Sequence, residues 1–520
     1  MKTRMLHVFG LFIFLPFLFF LGCSGGSGSG STGGGTNVLN PVAPDPFSPL
    51  SSDKFAVPTG FSSTAFPASG NKFTISSLNS NESLVLSLVN NSGNAVSADL
   101  SLSQQAFAAS ITDEKTDYSE SPSAGFHTSL RKLEKTMPSF VFNPSEDKST
   151  KNPSVKMSKE GDVESFKIIV GSLSDGNYRT VRAVCRKVSP LPGGVSGNLN
   201  LFLDENVSYN SKVEKYITDL QSYWQVIYPT IRGVFGEEPP AGYNGLDSDI
   251  TILLSSVIEE AGFFYSGDLY SSAQLQSGIT NQRKMFYVNV DSKTGSVTAA
   301  STMAHEFQHM VNFYQRHSRN LTEADWLNEA MSGYAEHVCG FKMTENNGSK
   351  AEQVRLYLSK TYSINLMADP WPGSDPYPSY GQVYLFGTWL GSRFGENGSL
   401  KKLLAGSTTG KAAIESFTGQ QFGVIFAKFV LALYVNDYSG YSDYGIPGIN
   451  LVNSYQFNSA TITLNGPYMF SNSGDLNKTH SVYVAPWSAA YYQISGSNGS
   501  DISVTVPGDI SLFELRKLFN

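Results

Sequence analysis

Residues 303–310 of this chain read MAHEFQHM, and residues 326–332 read WLNEAMS. Each residue of a helix advances by about 100°, so His305 and His309, one turn apart, project from one face with their side chains close together. Glu306 lies beside them, and Glu329 follows His309 by twenty residues. The two stretches therefore predict a cluster of two imidazoles and a carboxylate on successive helices.

The type and spacing of these side chains indicate a catalytic metal centre. A catalytic zinc has three protein ligands and an open position for water, and a His-Glu-x-x-His helix with a carboxylate from a later element supplies that set. Apolar residues at helical spacing predict a second helix over 322–338, with a capping residue in its first four positions. Taken alone, the five-residue pattern is equally compatible with an exposed charged patch on an amphipathic helix, but Glu329 favours the metal centre.

The same residues resemble those of a known family, the gluzincin metallopeptidases, and among them the hyicolysin-like zinc metallopeptidases. The resemblance rests on residues 305–309 (HEFQH), 326–330 (WLNEA) and 380–386 (YGQVYLF), and it extends over about 195–440. It implies one zinc ion, bound by His305, His309 and Glu329.

The resemblance also implies a fold of the zincin type, in which a small mixed sheet offers an edge strand to a peptide above the zinc helices. We therefore expect an α+β chain. Its zincin-like catalytic domain, a small mixed sheet with active-site helices, is expected to be flanked by N-terminal and C-terminal β domains.

A mechanism of peptide-bond hydrolysis follows from the resemblance. Zinc would lower the pKa of a bound water and polarise the scissile carbonyl, and Glu306 would take the proton of this water and pass it to the leaving amine. Tyr380, at the start of a helix predicted over 381–394, resembles the tyrosine that stabilises the transition state in gluzincin aminopeptidases. Because Tyr377 and Tyr384 lie in the same stretch, simple aromatic packing is the alternative for Tyr380.

Other residues near the motif are weaker ligand candidates. A metzincin site would need a glycine and a histidine at the positions of Asn312 and Gln315. His317 is expected to be solvated near the end of its helix, where the helix dipole favours a cation. His337 is not expected to be a ligand.

One position departs from the gluzincins with an Asn-Glu-x-x-Ser-Asp run. Gly333 stands where that subgroup has an aspartate that orients a zinc histidine. Because zinc-bound histidines usually donate their second N–H to a carboxylate or a carbonyl, Glu336 or a backbone oxygen is expected to take over this role.

Two short apolar runs before the motif, 250–254 and 285–290, predict strands. Between them, residues 261–265 read AGFFY. By resemblance to zincins, this segment is expected to form the edge strand whose free backbone groups bind an extended peptide. An ordinary aromatic loop is the alternative.

The N-terminal residues predict export and lipid anchoring. A basic start precedes an apolar run over 8–21, which resembles a bacterial lipoprotein signal peptide ending before Cys23, the residue expected to be lipidated. A transmembrane helix or a plain secretory signal is the alternative, but the run is short for a span and contains Pro16. We therefore expect a protein of the bacterial cell envelope, anchored by lipid at the outer membrane or the cell surface.

Composition limits the remaining functions. The 520 residues carry a net charge of −7, which argues against nucleic acid as a partner. With 40% hydrophobic residues, the chain can bury a core for two or three domains. An envelope location permits a disulfide between Cys185 and Cys339, and two separate buried thiols are the alternative. The sequence does not define an oligomeric state.

Shifts in composition divide the chain. Short apolar runs between Asn, Ser and Gly predict a β-sandwich-like module near the N-terminus, and strand-like alternation over 165–188 is assigned to it. A Ser-, Lys- and Glu-rich stretch predicts a disordered insert with one helix near 127–135. The expected boundaries are 1–22 for the signal peptide, 23–52 for a Gly/Ser-rich tether, 53–192 for the N-terminal module with its insert at 108–162, 193–444 for the metallopeptidase domain, and 445–520 for a small C-terminal β domain.

Two classes of function follow. The first is a zinc metallopeptidase that cleaves proteins or peptides outside the cytoplasm; it is expected to be an endopeptidase, because no acidic group that would hold a free α-amine can be assigned. The second is a surface-exposed binding or adhesion lipoprotein with a peptidase-like fold and little turnover. The presence of all three ligands and of Glu306 favours the enzyme.

Overall fold

The computed structural model describes residues 61–66, 72–75, 82–103, 122–138, 158–170, 177–275, 277–290, 295–343, 348–368, 376–436, 445–457, 460–471, 479–494, 502–505 and 510–518. The predicted signal peptide, Cys23 and the tether lie outside these ranges. The chain has mixed α+β structure, as the sequence predicts.

Strands and helices are numbered in chain order. The strands are β1 (Phe61–Phe66), β2 (Lys72–Ile75), β3 (Glu82–Asn90), β4 (Val96–Ser103), β5 (Val163–Ile169), β6 (Tyr178–Pro190), β7 (Asn198–Asp204), β8 (Ile250–Ser255), β9 (Gly262–Phe263), β10 (Met285–Asn289), β11 (Ser454–Phe457), β12 (Ala460–Thr463), β13 (Met469–Ser471), β14 (Thr479–Val484), β15 (Ser488–Ile494), β16 (Ile502–Thr505) and β17 (Ile510–Leu518). The helices are α1 (Pro122–Glu134), α2 (Ser211–Phe235), α3 (Ser296–His317), α4 (Asp325–Val338), α5 (Gly348–Leu358), α6 (Tyr377–Phe394), α7 (Lys401–Ala405), α8 (Gly410–Thr418) and α9 (Phe422–Val435).

A mixed sheet in the order β5-β6-β7-β8-β10-β9 lies next to the motif. β8 runs parallel to β7 and to β10, and the other neighbours are antiparallel. The strands predicted over 250–254 and 285–290 are β8 and β10, whose side chains are almost all buried, as unbroken apolar runs indicate. β9 is the terminal strand of this order. It has two residues, fewer than the predicted edge segment.

One face of this sheet shares a hydrophobic core with the helices. Trp224 of α2, for example, is fully buried with its ring centroid 5.0 Å from that of Phe307 of α3. Periodicity of 3.6 residues in the sequence predicts helices over 212–234, 297–315, 322–338, 381–394 and 422–435, and the structure has them as α2, α3, α4, α6 and α9. α6 begins at Tyr377, earlier than predicted, and Pro378 fits in its first turn because the N–H that proline lacks has no intrahelical partner there.

Helix α4 begins at Asp325, three residues later than predicted, and the capping residue expected within 322–325 is absent. Ala324 holds the N-cap position and offers no side-chain cap. The neighbouring Glu323 is used for tertiary contacts: its carboxylate accepts hydrogen bonds from Nε of Arg316 (2.7 Å) and from the backbone N–H of Gly410 (2.6 Å). These contacts tie the start of α4 to α3 and α8.

Strands from the two ends of the chain pair with each other. One sheet has the order β1-β17-β3-β15-β13, a second has the order β14-β4-β16-β2, and a shared hydrophobic cluster joins them. The expected division into separate N-terminal (53–192) and C-terminal (445–520) β domains is therefore wrong. Alternation along a strand shows which face is buried, but it does not show which strand is the partner.

The boundary expected at 192/193 is also wrong. β5 and β6, assigned above to the N-terminal module, continue the sheet next to the motif, because β6 pairs with β7. The insert predicted to be disordered over 108–162 contains α1, near the helix expected at 127–135. Phe126 and Leu130 of α1 are buried against the face of this sheet that is opposite the helical core.

The two cysteines within the described ranges are free thiols. Cys185 lies in the cluster with Phe126, whereas Cys339 lies in the helical core on the other face of the sheet. The alternative of two separate buried thiols is thus the one observed. Burial raises the pKa of each thiol to about 12. In the part of the chain that the structure describes, no single helix has the length and hydropathy of a membrane span, although α8 and α9 together, bent by 85°, meet both criteria.

Candidate metal centre

Helix α3 presents His305 and His309 on one face, and α4 presents Glu329 to both. Oε2 of Glu329 lies 3.2 Å from Nε2 of His305, and Oε1 lies 3.5 Å from Nε2 of His309. One ligand atom from each residue lies within 4.8 Å of the other two. His309 and Glu329 are buried, and the side chain of His305 is 12% exposed. The structure thus brings together the three side chains that the motif spacing predicts as ligands.

Nδ1 of each imidazole lies within hydrogen-bond distance of a side-chain oxygen. Nδ1 of His305 lies 2.9 Å from Oε1 of Glu336, and Nδ1 of His309 lies 3.0 Å from Oδ1 of Asn328. Since these oxygens are acceptors, each Nδ1 carries the hydrogen and donates it. Both Nε2 atoms then face the side of Glu329, which is the orientation that metal ligation requires; Nε2 of His305 would release its proton when a metal ion binds.

The electrostatics of the cluster favour a cation. Burial on its own lowers the pKa of His305, but hydrogen bonds with the carboxylates of Glu329 and Glu336 outweigh it and raise the pKa to about 10. Burial lowers the pKa of His309, so this imidazole stays neutral, as a metal ligand must. Two imidazoles and one carboxylate form the donor set of many catalytic zinc sites. The residues present therefore fit Zn²⁺.

Glu336 orients His305 and is itself held by two further donors. Oγ of Ser301 donates to its Oε2 (2.6 Å), and Nζ of Lys350 donates to its Oε1 (2.9 Å). Burial would raise the pKa of Glu336, but the Lys350 ammonium and the hydrogen bonds from His305 and Ser301 hold it at about 2. Glu336 is therefore an anion that accepts the Nδ1–H of His305.

At Gly333, α4 and α6 pack so closely that the aspartate of the related subgroup would push them apart by a few tenths of an ångström. A Cβ atom at Gly333 would lie 3.1 Å from Cα of Tyr384, a backbone atom of α6. The carboxylate comes instead from Glu336, three residues further along α4. Of the two partners predicted for His305, Glu336 and a backbone oxygen, the structure has Glu336.

Glu306 lies at the cavity next to the cluster. Its Oε2 is buried and has no hydrogen-bond partner among the described residues. Burial raises the pKa of Glu306 to about 7, although the charges of His305 and Arg131 act in the opposite direction. A carboxyl group with a pKa near neutrality can both accept and return a proton, as a general base and acid must.

Tyr380, in the first turns of α6, lines the same cavity as Glu306. Burial and the nearby carboxylates of Glu329 and Glu306 raise its pKa well above the ordinary value, so its hydroxyl keeps its proton and can donate a hydrogen bond. Tyr384 differs. It is fully buried, and its hydroxyl contacts Nδ1 of His337 (3.0 Å) and accepts the backbone N–H of Met343 (3.3 Å). Of these two tyrosines, the packing role belongs to Tyr384.

The cavity has a volume of about 290 Å³ and is bounded on one side by the edge of the sheet. Ala261 and Gly262 line it from that edge, opposite Thr302 and Glu306 of α3. A Cβ atom at Gly262 would lie 2.5 Å from Cγ2 of Thr302, so only glycine lets the edge strand approach α3 this closely. The edge segment and the metal cluster therefore share one cleft.

Two histidines near the motif have structural roles. The expectation that His317 is solvated is wrong: it is 7% exposed, its ring stacks on Phe313, and its Nε2 donates to the carbonyl of Pro138 (2.7 Å). This partner is remote in sequence, so helical position gave no indication of it. His337 contacts Tyr384 and is not part of the cluster, as expected.

Lys350 and His127 also line the cavity, and neither is predicted from the sequence as a site residue. Lys350 lies in α5, whose composition is that of an ordinary surface helix, so nothing local marked it as buried. For His127 a signal was present, since Phe126, Leu130 and Leu133 recur at helical spacing and define an apolar face. The sequence does predict a helix near 127–135, but its polar surroundings indicated a disordered insert and not a place beside the metal centre.

Comparison with known proteins gives one distant relative in sequence. No protein-family model matches the chain. The neutral metalloprotease ShpI of Staphylococcus hyicus is 24% identical over 314 residues, which cover 52% of this chain and 68% of that protein. This homology to a metalloprotease agrees with a donor set that fits zinc.

Solved structures align with low overall similarity. The M1 zinc metallopeptidase from Deinococcus radiodurans aligns over 52% of this chain with a TM-score of 0.26 and 11% identity, and the chain spans 57% of its length. An aminopeptidase N family protein from Idiomarina loihiensis aligns over 69% of this chain and 75% of its own, with a TM-score of 0.27 and 10% identity.

Proposed function

We propose that this protein is a zinc metallopeptidase. The observation that carries the proposal is the convergence of His305, His309 and Glu329 in a cleft bounded by a sheet edge. Glu306 lies beside them, and its Oε2 has no hydrogen-bond partner in the part of the chain that the structure describes. The distant homology to a metalloprotease supports it. The ligand set, with its carboxylate on the helix after the His-Glu-x-x-His helix, is of the gluzincin type.

The chemistry divides between the ion and the side chains. Zn²⁺ at this site supplies a Lewis acid that polarises the scissile carbonyl and lowers the pKa of water. Glu306, which lies at the cavity next to the cluster, would accept the proton of the attacking water and return it to the leaving amine. Tyr380 donates its O–H to the oxygen that becomes negative in the transition state.

We assign the substrate backbone to the edge of the mixed sheet. An unpaired strand edge offers N–H and C=O groups to an extended chain, so β9 can hold a peptide by strand addition above α3. This mode places no requirement on a free terminus, and we therefore propose an endopeptidase with a zincin-like catalytic region. The sequence of the first 35 residues supports an export signal and a lipid anchor at Cys23, which would place the activity in the cell envelope.

The experiment combines metal analysis with turnover. Purified protein should hold one zinc per chain and should cleave casein or a mixed peptide library, and a chelator should abolish the cleavage. Glu306→Gln should retain the zinc but lose cleavage by several orders of magnitude, because it removes the base without removing a ligand. Protein that binds zinc but shows no Glu306-dependent cleavage would contradict the proposal and favour a binding lipoprotein.

A further inference from the structure

Helix α1 lies in the cleft of the metal centre, although it belongs neither to the mixed sheet nor to the zinc helices. Its N-terminal half packs on the edge strand: the ring centroids of Phe126 and Phe263 are 5.1 Å apart, and the rings are nearly perpendicular. Phe126 is 6% exposed and Leu130 is 2% exposed. The apolar face of α1 is thus docked on the strand that would receive a peptide.

His127, next to Phe126, lines the cavity together with His305 and Glu306. Its Nδ1 is buried without a hydrogen-bond partner among the described residues. His127 therefore takes up part of the cleft that lies between the sheet edge and the helix carrying His305. The cavity that remains, about 290 Å³, is at the small end of the range for small-molecule sites.

The opposite end of α1 is anchored at the start of α4 and the end of α3. Nζ of Lys135 lies 3.3 Å from Oδ1 of Asp325, the first residue of α4. Just after the helix, the carbonyl of Pro138 accepts hydrogen bonds from Nε2 of His317 (2.7 Å) and from the hydroxyl of Tyr270 (3.3 Å). A helix of this length covers roughly 20 Å. It therefore bridges the edge strand and the start of the helix that carries Glu329.

Arg131, in the middle of α1, brings a positive charge to the cluster. It is 2% exposed, and its Nη1 lies 2.8 Å from Oε1 of Glu134. Burial opposes its charge, yet the carboxylates of Glu134 and of two residues at the metal centre, Glu329 and Glu306, hold its pKa above the ordinary value. Arg131 and Glu134 thus form a buried ion pair within the docked helix.

We propose that α1 is an autoinhibitory helix. In the docked position it covers the edge strand and leaves a cavity for short peptides only; when it is released, β9 and the metal centre become accessible to a longer chain. The inference rests on the proposed peptidase function. It requires no covalent step, because the docked and released positions differ only in non-covalent contacts.

The test weakens the docking of α1 in the full-length protein. Phe126→Ala removes the contact with the edge strand, and Lys135→Glu replaces the ion pair with Asp325 by a repulsion. Lys132→Glu is the matched control, since Lys132 is exposed on the same helix. For a peptide long enough to span the cleft, kcat/KM should rise about tenfold or more in the first two variants, because the fraction of accessible protein limits the apparent affinity. For a tripeptide, the change should be smaller, and Lys132→Glu should equal the wild type.

A binding measurement separates the failure of this inference from the failure of the proposed function. Binding of the same long peptide, now with a fluorescent label, is measured by anisotropy in proteins that carry Glu306→Gln. In this background, Phe126→Ala and Lys135→Glu should each lower the Kd of the peptide by the factor by which they raise kcat/KM. Zinc content and thermal unfolding report whether each variant is folded. Equal or weaker binding and equal or lower kcat/KM in the folded Lys135→Glu protein would overturn the autoinhibitory role. Tighter binding without turnover in any form of the protein would support α1 as an autoinhibitory helix and would contradict the proposed peptidase function.

Discussion

Oε1 of Glu336 lies 2.9 Å from Nδ1 of His305, on the side of the imidazole that faces away from Glu329. The same carboxylate takes hydrogen bonds from Ser301 and Lys350, so His305 is tied to a network that joins α3, α4 and α5. A ligand held from behind in this way keeps one tautomer and one ring orientation. The geometry of the metal centre thus depends on Glu336 as well as on its three ligands.

Removing the charge of Glu336 should weaken metal binding. Glu336→Gln keeps the size of the side chain but offers a weaker acceptor to His305 and leaves the buried Lys350 ammonium without its counter-ion. Zinc affinity should fall by about 10- to 100-fold. Competition with a chromogenic chelator measures it. Glu352→Gln is the control, because Glu352 pairs with Arg355 at the surface of the same helix as Lys350. Equal zinc affinity in Glu336→Gln and wild type would show that the network does not orient His305.

Restoring the aspartate of the related subgroup should destabilise this protein. In Gly333→Asp the new Cβ would lie 3.1 Å from Cα of Tyr384, and backbone on both sides can give way only if α4 and α6 separate. The free energy of unfolding should fall by roughly 1–3 kcal/mol, as for other overpacked interiors. Urea denaturation measures it. Gly295→Asp is the matched control, since no heavy atom lies within 4 Å of a Cβ there and the residue is the N-cap of α3. Unchanged stability in Gly333→Asp would contradict the packing argument.

Two tyrosines one turn apart should respond differently to the loss of their hydroxyl. Tyr380→Phe should lower kcat by about 100-fold or more with unchanged zinc content, since removing one oxyanion donor has effects of this size. Tyr384→Phe should leave kcat near the wild-type value and lower the free energy of unfolding by about 1 kcal/mol, because its hydroxyl contacts His337 and Met343. Near-normal turnover in Tyr380→Phe would remove it from the reaction.

The metal centre was accessible to sequence analysis because its signals are local. His305, Glu306 and His309 lie within one turn and a half of a single helix. The helical pattern around Glu329 predicts that this carboxylate lies on the next helix. The periodicity of each segment also sufficed for α2, α9, β8 and β10. In these cases the information lies within the element itself.

The errors concern contacts between remote segments. β3 pairs with β15 and β17, and β4 pairs with β14 and β16, but nothing in the alternation of β3 or β4 names those partners. His317 is buried by the carbonyl of Pro138, 179 residues away in the chain. Gly333 has no side chain because α6 approaches α4 closely at this position. The periodicity of a helix does not reveal such an approach.

Asp268 should make stability fall as pH rises. It lies behind the edge strand, where its carboxyl accepts hydrogen bonds from the hydroxyl of Tyr287 (2.6 Å) and the backbone N–H of Asn281 (2.7 Å). Burial nevertheless raises its pKa from 3.8 to about 7. Between these two values the folded chain holds a proton that the unfolded chain has released, so the free energy of unfolding decreases with rising pH in this window and is constant above it.

Asp268→Asn removes this titration while keeping a polar side chain of the same size. The difference in unfolding free energy between wild type and variant isolates Asp268, because other groups that titrate contribute to both proteins. Between about pH 4 and about pH 7, the unfolding free energy of the wild type should fall by a few kcal/mol relative to that of the variant, at 1.36 kcal/mol for each unit of the pKa shift. Urea unfolding at several pH values measures it. A difference that is independent of pH, or that favours the wild type as pH rises, would show that the hydrogen bonds from Tyr287 and Asn281 outweigh the burial of the carboxylate.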